Sequence, residues 1–443
     1  MKKRSITILF AILICMAGTK AFAYEYTYDI AVENAEGVTI YYNYINDGKE
    51  LEVTYGGYYS HTDLVVSFYF GNVIIPEQVT HMNRTWKVTK IGNRAFENSS
   101  ELISVTIPNS VNSFGKAVFS GCYKLTSVNI PSNVTRIENA MFCWCRSLSS
   151  FTIPANITSI GKYAFAYCSG MTSIYIPETV TEIETGAFQS CSDLTAVVFP
   201  SNIKSIESQT FSWCSKLSSF TIPENISSIG ESAFYGCKSL KTINIPNTIT
   251  VLNRSLFMES GLESITIPSS VMTIGMEAFR GCRDLISITI PNSVKEIGSL
   301  AFYESGRLTK ITSLIEEPFA IGDDTFANKS YMDASLLVPK GTIDKYKQLG
   351  GWNNFASIEE DTDEGGPTIL NKCEKPVLIQ GQGGMFTIQG VDEGADIAVY
   401  AVSGQMVGST KACGTQTSLA TNIKKGEVAI IKIGKKSVKV VMQ

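Results

Sequence analysis

Apolar and polar positions along this chain recur on one fixed beat. Phenylalanine marks it at Phe96, Phe119, Phe142, Phe165, Phe188, Phe211, Phe234, Phe257, Phe279, Phe302 and Phe326, the first seven steps being 23 residues each and the last three 22, 23 and 24. Within one period, Ser127-Val128-Asn129-Ile130 alternates, which predicts a short strand with Val128 and Ile130 pointing to the same, inward side. Pro131 ends the pairing, because proline has no amide hydrogen to donate. A second short run, Val134 to Ile137, turns a corner, and Ala140, Phe142 and Cys145 complete the apolar set. Proline keeps the register at Pro108, Pro131, Pro154, Pro177, Pro200, Pro223, Pro246, Pro268 and Pro291; cysteine keeps it at Cys122, Cys145, Cys168, Cys191, Cys214, Cys237 and Cys282. Three ladders in one register predict a mainly β solenoid of about 11 coils of 23 residues, in which no coil can cover its open faces without neighbours. Glycine at Gly115, Gly161, Gly230, Gly275, Gly298 and Gly322 reads as a bend with positive φ, although Glu138, Glu184 and Glu207 take the same place in other coils.

The flanks break the beat. Met1-Lys2-Lys3-Arg4, an apolar run from Ile6 to Ala17 and Ala21-Phe22-Ala23 predict a signal peptide over 1–23, cleaved before Tyr24. Residues 24–75, rich in tyrosine and β-branched side chains with turns at Asn46-Asp47-Gly48 and Gly56-Gly57, predict an N-terminal β cap over the first coil. The solenoid and its terminal cap are expected over 76–358, with Trp352 and Phe355 closing the far end of the core. An acidic, glycine-bearing linker is expected at 359–367, and a small C-terminal β-sandwich at 368–443.

Composition narrows the functional classes. The net charge is −4, and cleavage after Ala23 would remove four positive charges and no negative one. No basic stripe follows the coils, which argues against nucleic acid as a partner. No other run is long enough for a transmembrane helix. Cysteines one coil apart stand about 4.8 Å apart with parallel side chains, a poor geometry for a bridge, so free buried thiols are expected. Cys143 lies off the ladder and Cys143-x-Cys145 lacks further ligands for a metal; Cys373 and Cys413 could pair with each other. Only two histidines are present, His61 and His81, and no nucleophile, metal-binding or phosphate-binding motif appears, so neither catalysis nor a cofactor is expected.

The stretch L-x-x-[VIF]-x-I within each period has the strand signature of leucine-rich repeats. The full repeat, I-P-x-x-[VI]-x-x-I-G-x-x-A-F-x-x-C-x-x-L-x-S-[VI], resembles the BspA-like (bacterial surface protein A-like) leucine-rich repeat family over roughly residues 75–358. That resemblance implies an exported bacterial surface protein with a part in adhesion to host matrix proteins, co-aggregation or host-cell contact. The C-terminal segment Ile397-Ala398-Val399-Tyr400-Ala401-Val402-Ser403-Gly404-Gln405-Met406-Val407, with Lys432, Lys435, Lys436 and Lys439 near the end, resembles type IX secretion sorting domains. It implies contact with a secretion machinery and a Gram-negative source.

Two outward sets depart from the repeat. The strand positions opposite the core are mostly serine and threonine, which pair well across strands and keep a sheet soluble; Tyr175, Ala196 and Val198 interrupt them as an apolar patch. Before the cysteine rung stand Trp144, Tyr167 and Trp213, where other coils have Gly121, Gly236 or Gly281. Such rings can stack on sugars, anchor a protein, or shield the outer wall. The expectation is a cell-surface protein that binds a host matrix protein, surface protein or glycan. A structural spacer or cell–cell contact module, and the binding component of a glycan-handling system, remain open at this level.

Overall fold

Each 23-residue period closes into one coil with three walls, as a computed structural model shows for residues 25–59 and 64–361, with most of 378–441 also described. The predicted signal peptide and Cys373 lie outside the described residues. The solenoid has about 12 turns. Its first wall stacks parallel strands, beginning with Gly71–Ile74, Leu102–Thr106 and Ser127–Val128 and ending with Ser287–Ile290, Lys310–Ser313, Ser335–Val338 and Ser357–Glu360. The second wall stacks two-residue strands such as Arg136–Ile137 and Ser159–Ile160. The third carries no strand. There, alternate amides serve two purposes: Phe119 N–H donates to Met141 O of the next coil at 2.8 Å, while Ser120 N–H turns back to Ala117 O at 3.2 Å. Every second amide thus ties coils together and the others tighten the turn, which keeps this wall's backbone paired without a sheet.

The rungs the sequence placed inward are buried. All eleven ladder phenylalanines from Phe96 to Phe326 are 0% exposed. Their rings stack in one file, with centroids 4.9–5.8 Å apart and planes within 22°, the offset arrangement that the ring quadrupole favours. Tyr69 covers one end, 4.5 Å from Phe96, and Phe355 the other, 5.2 Å from Phe326. The seven rung cysteines are buried free thiols. Each donates its S–H to the phenylalanine carbonyl one coil back, as in Cys191 Sγ to Phe165 O at 3.1 Å.

The glycine bend is a correction to the reading above. None of Gly115, Gly161, Gly230, Gly275, Gly298 and Gly322 has positive φ. In five of them the reason is close approach between coils: a Cβ on Gly115 would sit 2.4 Å from Asn93 N, and one on Gly230 would sit 2.3 Å from Ser208 N. Where the coil carries Glu138, Glu207 or Asn253 instead, the second-wall strand does not pair with the coil before it. Glu184 is the exception, pairing while its carboxylate takes Arg136 Nη2 at 2.5 Å. Left-handed backbone falls instead on the third wall, two residues before and two after each phenylalanine from Phe96 to Phe302, as at Ala140 (φ 54°) and Trp144 (φ 65°) around Phe142.

The first wall is interrupted too. Phe151 and Phe220 occupy the inward strand position that Val128, Ile174 and Val197 hold elsewhere, and neither of their coils forms a first-wall strand. Phe151 wedges between Phe142 and Phe165 at 5.0 and 5.2 Å, and Phe220 between Phe211 and Phe234 at 4.8 and 5.2 Å. An extra ring thus enters the column at each of these two breaks, while the coils of Ile243 and Ile265, which have none, keep only an isolated bridge between Asn244 and Thr266.

At the N-terminal end, strands Ile30–Glu33, Thr39–Ile45 and Glu50–Thr54 run antiparallel, and Glu50–Thr54 joins Arg84–Ile91 in parallel, so the cap extends the second wall. First-wall pairing already begins at Gly71–Ile74, inside the segment assigned to the cap. At the other end Glu359 and Glu360, assigned to the linker, belong to the strand Ser357–Glu360, which pairs with Ser335–Val338, and Glu360 Oε1 accepts from Gly341 N–H at 2.8 Å. One apolar core runs from Ile30 to Phe355. Residues 363–443 form a second unit, in which a three-stranded and a four-stranded sheet share a separate core around Phe386, Val399 and Ile431.

Candidate binding walls

The third wall brings Trp144 and Tyr167 together and leaves Trp213 apart. Trp144 and Tyr167 stack face to face, centroids 3.9 Å apart and planes 4° apart. On the far side of Trp144, the Arg146 guanidinium lies 4.9 Å from its ring and 5.0 Å from that of Tyr123. Tyr123, Arg146, Trp144 and Tyr167 therefore form one file of alternating ring and cation contacts. Trp213 stands two coils beyond Tyr167, with Ser190 between. Its ring meets Tyr235 at 4.8 Å and Lys238 Nζ at 5.5 Å, and lies across Gly236, where a Cβ would come within 2.7 Å of it. Trp144, Tyr167 and Trp213 are half-buried. Their faces are thus largely occupied by neighbours, and the wall offers solvent ring edges, hydroxyls and the cations the rings hold.

All three rings stand on left-handed backbone, with φ of 65°, 61° and 62°, at positions that Gly121, Gly236 and Gly281 fill in other coils. Such a conformation is uncommon for a bulky residue and costs on the order of 1 kcal/mol. The backbone at this rung favours glycine, and besides the three rings Asn98, Ser190, Glu259 and Glu304 also hold the left-handed conformation there.

The apolar patch Tyr175, Ala196 and Val198 lies on the first wall. Its two strands pair with Ser173 beside Ala196 and Tyr175 beside Val198. Tyr175 is 49% exposed, Ala196 is exposed and Val198 half-buried. The flanking coils are those of Phe151 and Phe220, so the patch is a two-strand island. On the second wall, the unpaired step between Glu182–Ile183 and Ser205–Ile206 forms a shallow charged hollow lined by Lys162, Glu184, Lys204 and Glu207 among others. Among the described residues no group of three or more His, Cys, Asp and Glu side chains is placed to hold a metal ion. His81 ends the strand Gln78–His81, which pairs antiparallel with Arg84–Ile91, and His61 lies outside the described residues. Cys143 is half-buried beside Trp144, and burial pushes its thiol up to about 11. Cys413 is exposed and free.

A family model described as the BspA type leucine rich repeat region matches in six copies, over residues 89–218, 136–263 and 204–333, together more than half of the chain. The chain belongs to the BspA-type leucine-rich repeat family. No curated protein matches it. A leucine-rich repeat protein from Bacteroides ovatus is similar in structure at 29% identity, over 76% of this chain and 79% of that one, with a TM-score of 0.62. A leucine-rich cell surface protein from Faecalibacterium prausnitzii matches over 76% of this chain and 96% of that one at 22% identity and a TM-score of 0.44. The Treponema pallidum leucine-rich repeat protein matches over 45% and 87% at 27% identity and a TM-score of 0.39.

In this BspA-type protein the sequence reading missed Tyr123, Arg146, Tyr235 and Lys238. They sit one or two positions from the aromatic rung, in single coils, so a reading tuned to repeated residues passes over them. Comparing the residue next after each cysteine, Tyr123 after Cys122, Arg146 after Cys145 and Lys238 after Cys237, would have found three of the four.

Proposed function

We propose that this BspA-type protein is displayed outside the cell and binds a host protein or glycan through side chains on its solenoid walls, without catalysing a reaction. One observation carries the reading. Every coil keeps its inward rungs, yet the left-handed position before the cysteine rung, which is glycine at Gly121, Gly236 and Gly281 and a small or polar residue at Asn98, Ser190, Glu259 and Glu304, carries a large ring at Trp144, Tyr167 and Trp213 on an outward wall, the kind of side chain that anchors a partner. Membership of the BspA-type leucine-rich repeat family supports the placement. The C-terminal unit is proposed as the export and anchoring module, from its resemblance to type IX sorting domains.

The test is a pull-down with the cleaved chain against immobilised host matrix proteins and glycans, in parallel with the variant Trp144→Ala, Tyr167→Ala, Trp213→Ala. Binding by the parent and its loss in the variant, with an unchanged thermal melt, is the expected result. A parent chain that captures nothing in either set ends the reading.

A further inference from the structure

We propose that the third wall takes an acidic, uronate-bearing polysaccharide, with Arg146 and Lys238 as its two anchoring cations; this rests on the binding role proposed above and names the ligand class. The ground is a contrast in ion pairing. Along the corner that follows the cysteine rung, Lys124 pairs with Glu101, Lys216 with Asp193, and Lys241 with Glu263 and Asp284. Arg280 also lies over a ring, that of Tyr303, and is paired with Glu277 and Glu304. Among the described residues Arg146 and Lys238 have no carboxylate partner; each is held by aromatic rings instead. The segments 120–126, 143–149 and 166–172, which build this corner over three successive coils, contain no aspartate or glutamate at all. The segment 235–241 around Lys238 is likewise free of aspartate and glutamate, and Asp193, on the corner between the two cations, is paired with Lys216.

Charge sets the sign of the partner and geometry sets its kind. Cation–π contact fixes the Arg146 guanidinium between Tyr123 and Trp144 while leaving its donors free, and a preset guanidinium fork suits a planar carboxylate. Arg146 and Lys238 are four coils apart, about 19 Å at 4.8 Å per step. Two isolated cations are too few to neutralise the phosphates of a nucleic acid, whereas a polymer with one carboxylate per sugar can present a planar carboxylate to each of them along its length. The backbone amides of this wall are already used between coils and within turns, so a peptide cannot add as a strand here. Exposed Tyr123 and the half-buried ring edges supply hydroxyl and apolar contact to sugar units between the charges.

The experiment measures retention of the full cleaved chain in affinity electrophoresis. The probes are polygalacturonate, its methyl-esterified form, dextran and poly-glutamate, at low and at high salt. The expected result is retention by polygalacturonate alone, weakened by salt, and roughly tenfold weaker for Arg146→Gln or Lys238→Gln, the scale of one lost charge-assisted hydrogen bond. Lys216→Gln, which removes a cation paired with Asp193, is the control expected to bind as the parent does. Equal retention by the esterified polymer, retention by poly-glutamate as strong as by polygalacturonate, or full binding by both cation variants overturns the inference. Capture of a matrix protein or neutral glycan without polygalacturonate overturns it while leaving the broader binding role standing; capture of nothing at all overturns both.

Discussion

At the cysteine rung, small size is only half of what the fold requires. Ser305 fills the same place and donates to Phe279 O at 2.8 Å, as Cys282 Sγ donates to Phe257 O at 3.1 Å. At these coils the rung supplies a compact donor for the carbonyl one coil back, whereas the Ser260 hydroxyl pairs with Cys282 Sγ at 3.4 Å. Cys191→Ser is expected to change stability by less than about 1 kcal/mol, whereas Cys191→Val, similar in size but without a donor, should cost about 1–3 kcal/mol by stranding Phe165 O. Chemical denaturation of the pair checks this, and equal losses in the two variants would show that volume alone matters. Phe188→Ala removes a ring stacked on both faces and should cost about 3–5 kcal/mol. The sequence made these rungs legible because one position repeats one chemistry. Arg146 was not legible in that way: what makes it distinctive is the absence of a partner across coils, and spacing along one chain does not record that.

The elements themselves are set by how close two coils may come. In a single sequence a glycine required by close approach is indistinguishable from one required by positive φ, which is why Gly115 and its equivalents were misassigned. The geometry separates the two causes. Gly230→Ala places a methyl 2.3 Å from Ser208 N, so it should cost about 1–3 kcal/mol as overpacking. It should also speed hydrogen exchange at Ser227 and Gly230, which bond back to Lys204 O and Ile206 O. Unchanged exchange at those two amides would contradict the close-approach argument. The cysteine column adds a dependence on pH. Burial pushes the Cys122 and Cys282 thiols up to about 12 from an ordinary 9.0, and raises the other rung thiols as well. Above pH 9 the unfolded chain releases these protons first, so stability is full below about pH 9 and falls as pH rises towards the folded values. The loss is about 1.4 kcal/mol per thiol per pH unit. Replacing Cys145, Cys168, Cys191 and Cys214 together by serine should move the alkaline unfolding midpoint, followed by circular dichroism, to higher pH; an unmoved midpoint would mean the thiols do not set it.

On the scale of the molecule, a stack whose coils touch only their neighbours should tolerate the loss of a whole period far better than the loss of part of one. Deleting residues 177–199 joins Ile176 to Pro200 and removes 23 residues, restoring the register of every ladder. Phe165 would then stack on Phe211, and Cys168 would be followed by Cys214. The variant should fold with one cooperative thermal transition a few degrees lower, since it loses one inter-coil interface and keeps the covers at Tyr69 and Phe355. Deleting 177–187 alone leaves part of a coil, puts the phenylalanine file out of step and forces polar positions inward, so it should not fold. The core of residues 363–443 is separate from that of the solenoid, so neither deletion bears on its folding, and a second transition that stays fixed in both variants provides an internal standard. Similar damage from the two deletions would mean that stability is not built coil by coil. The whole-period deletion also draws Arg146 and Lys238 one step closer, by about 4.8 Å. A rigid polymer that bridges both cations should then bind more weakly although every contacting side chain remains, and that separates a bridging ligand from one gripped at a single site.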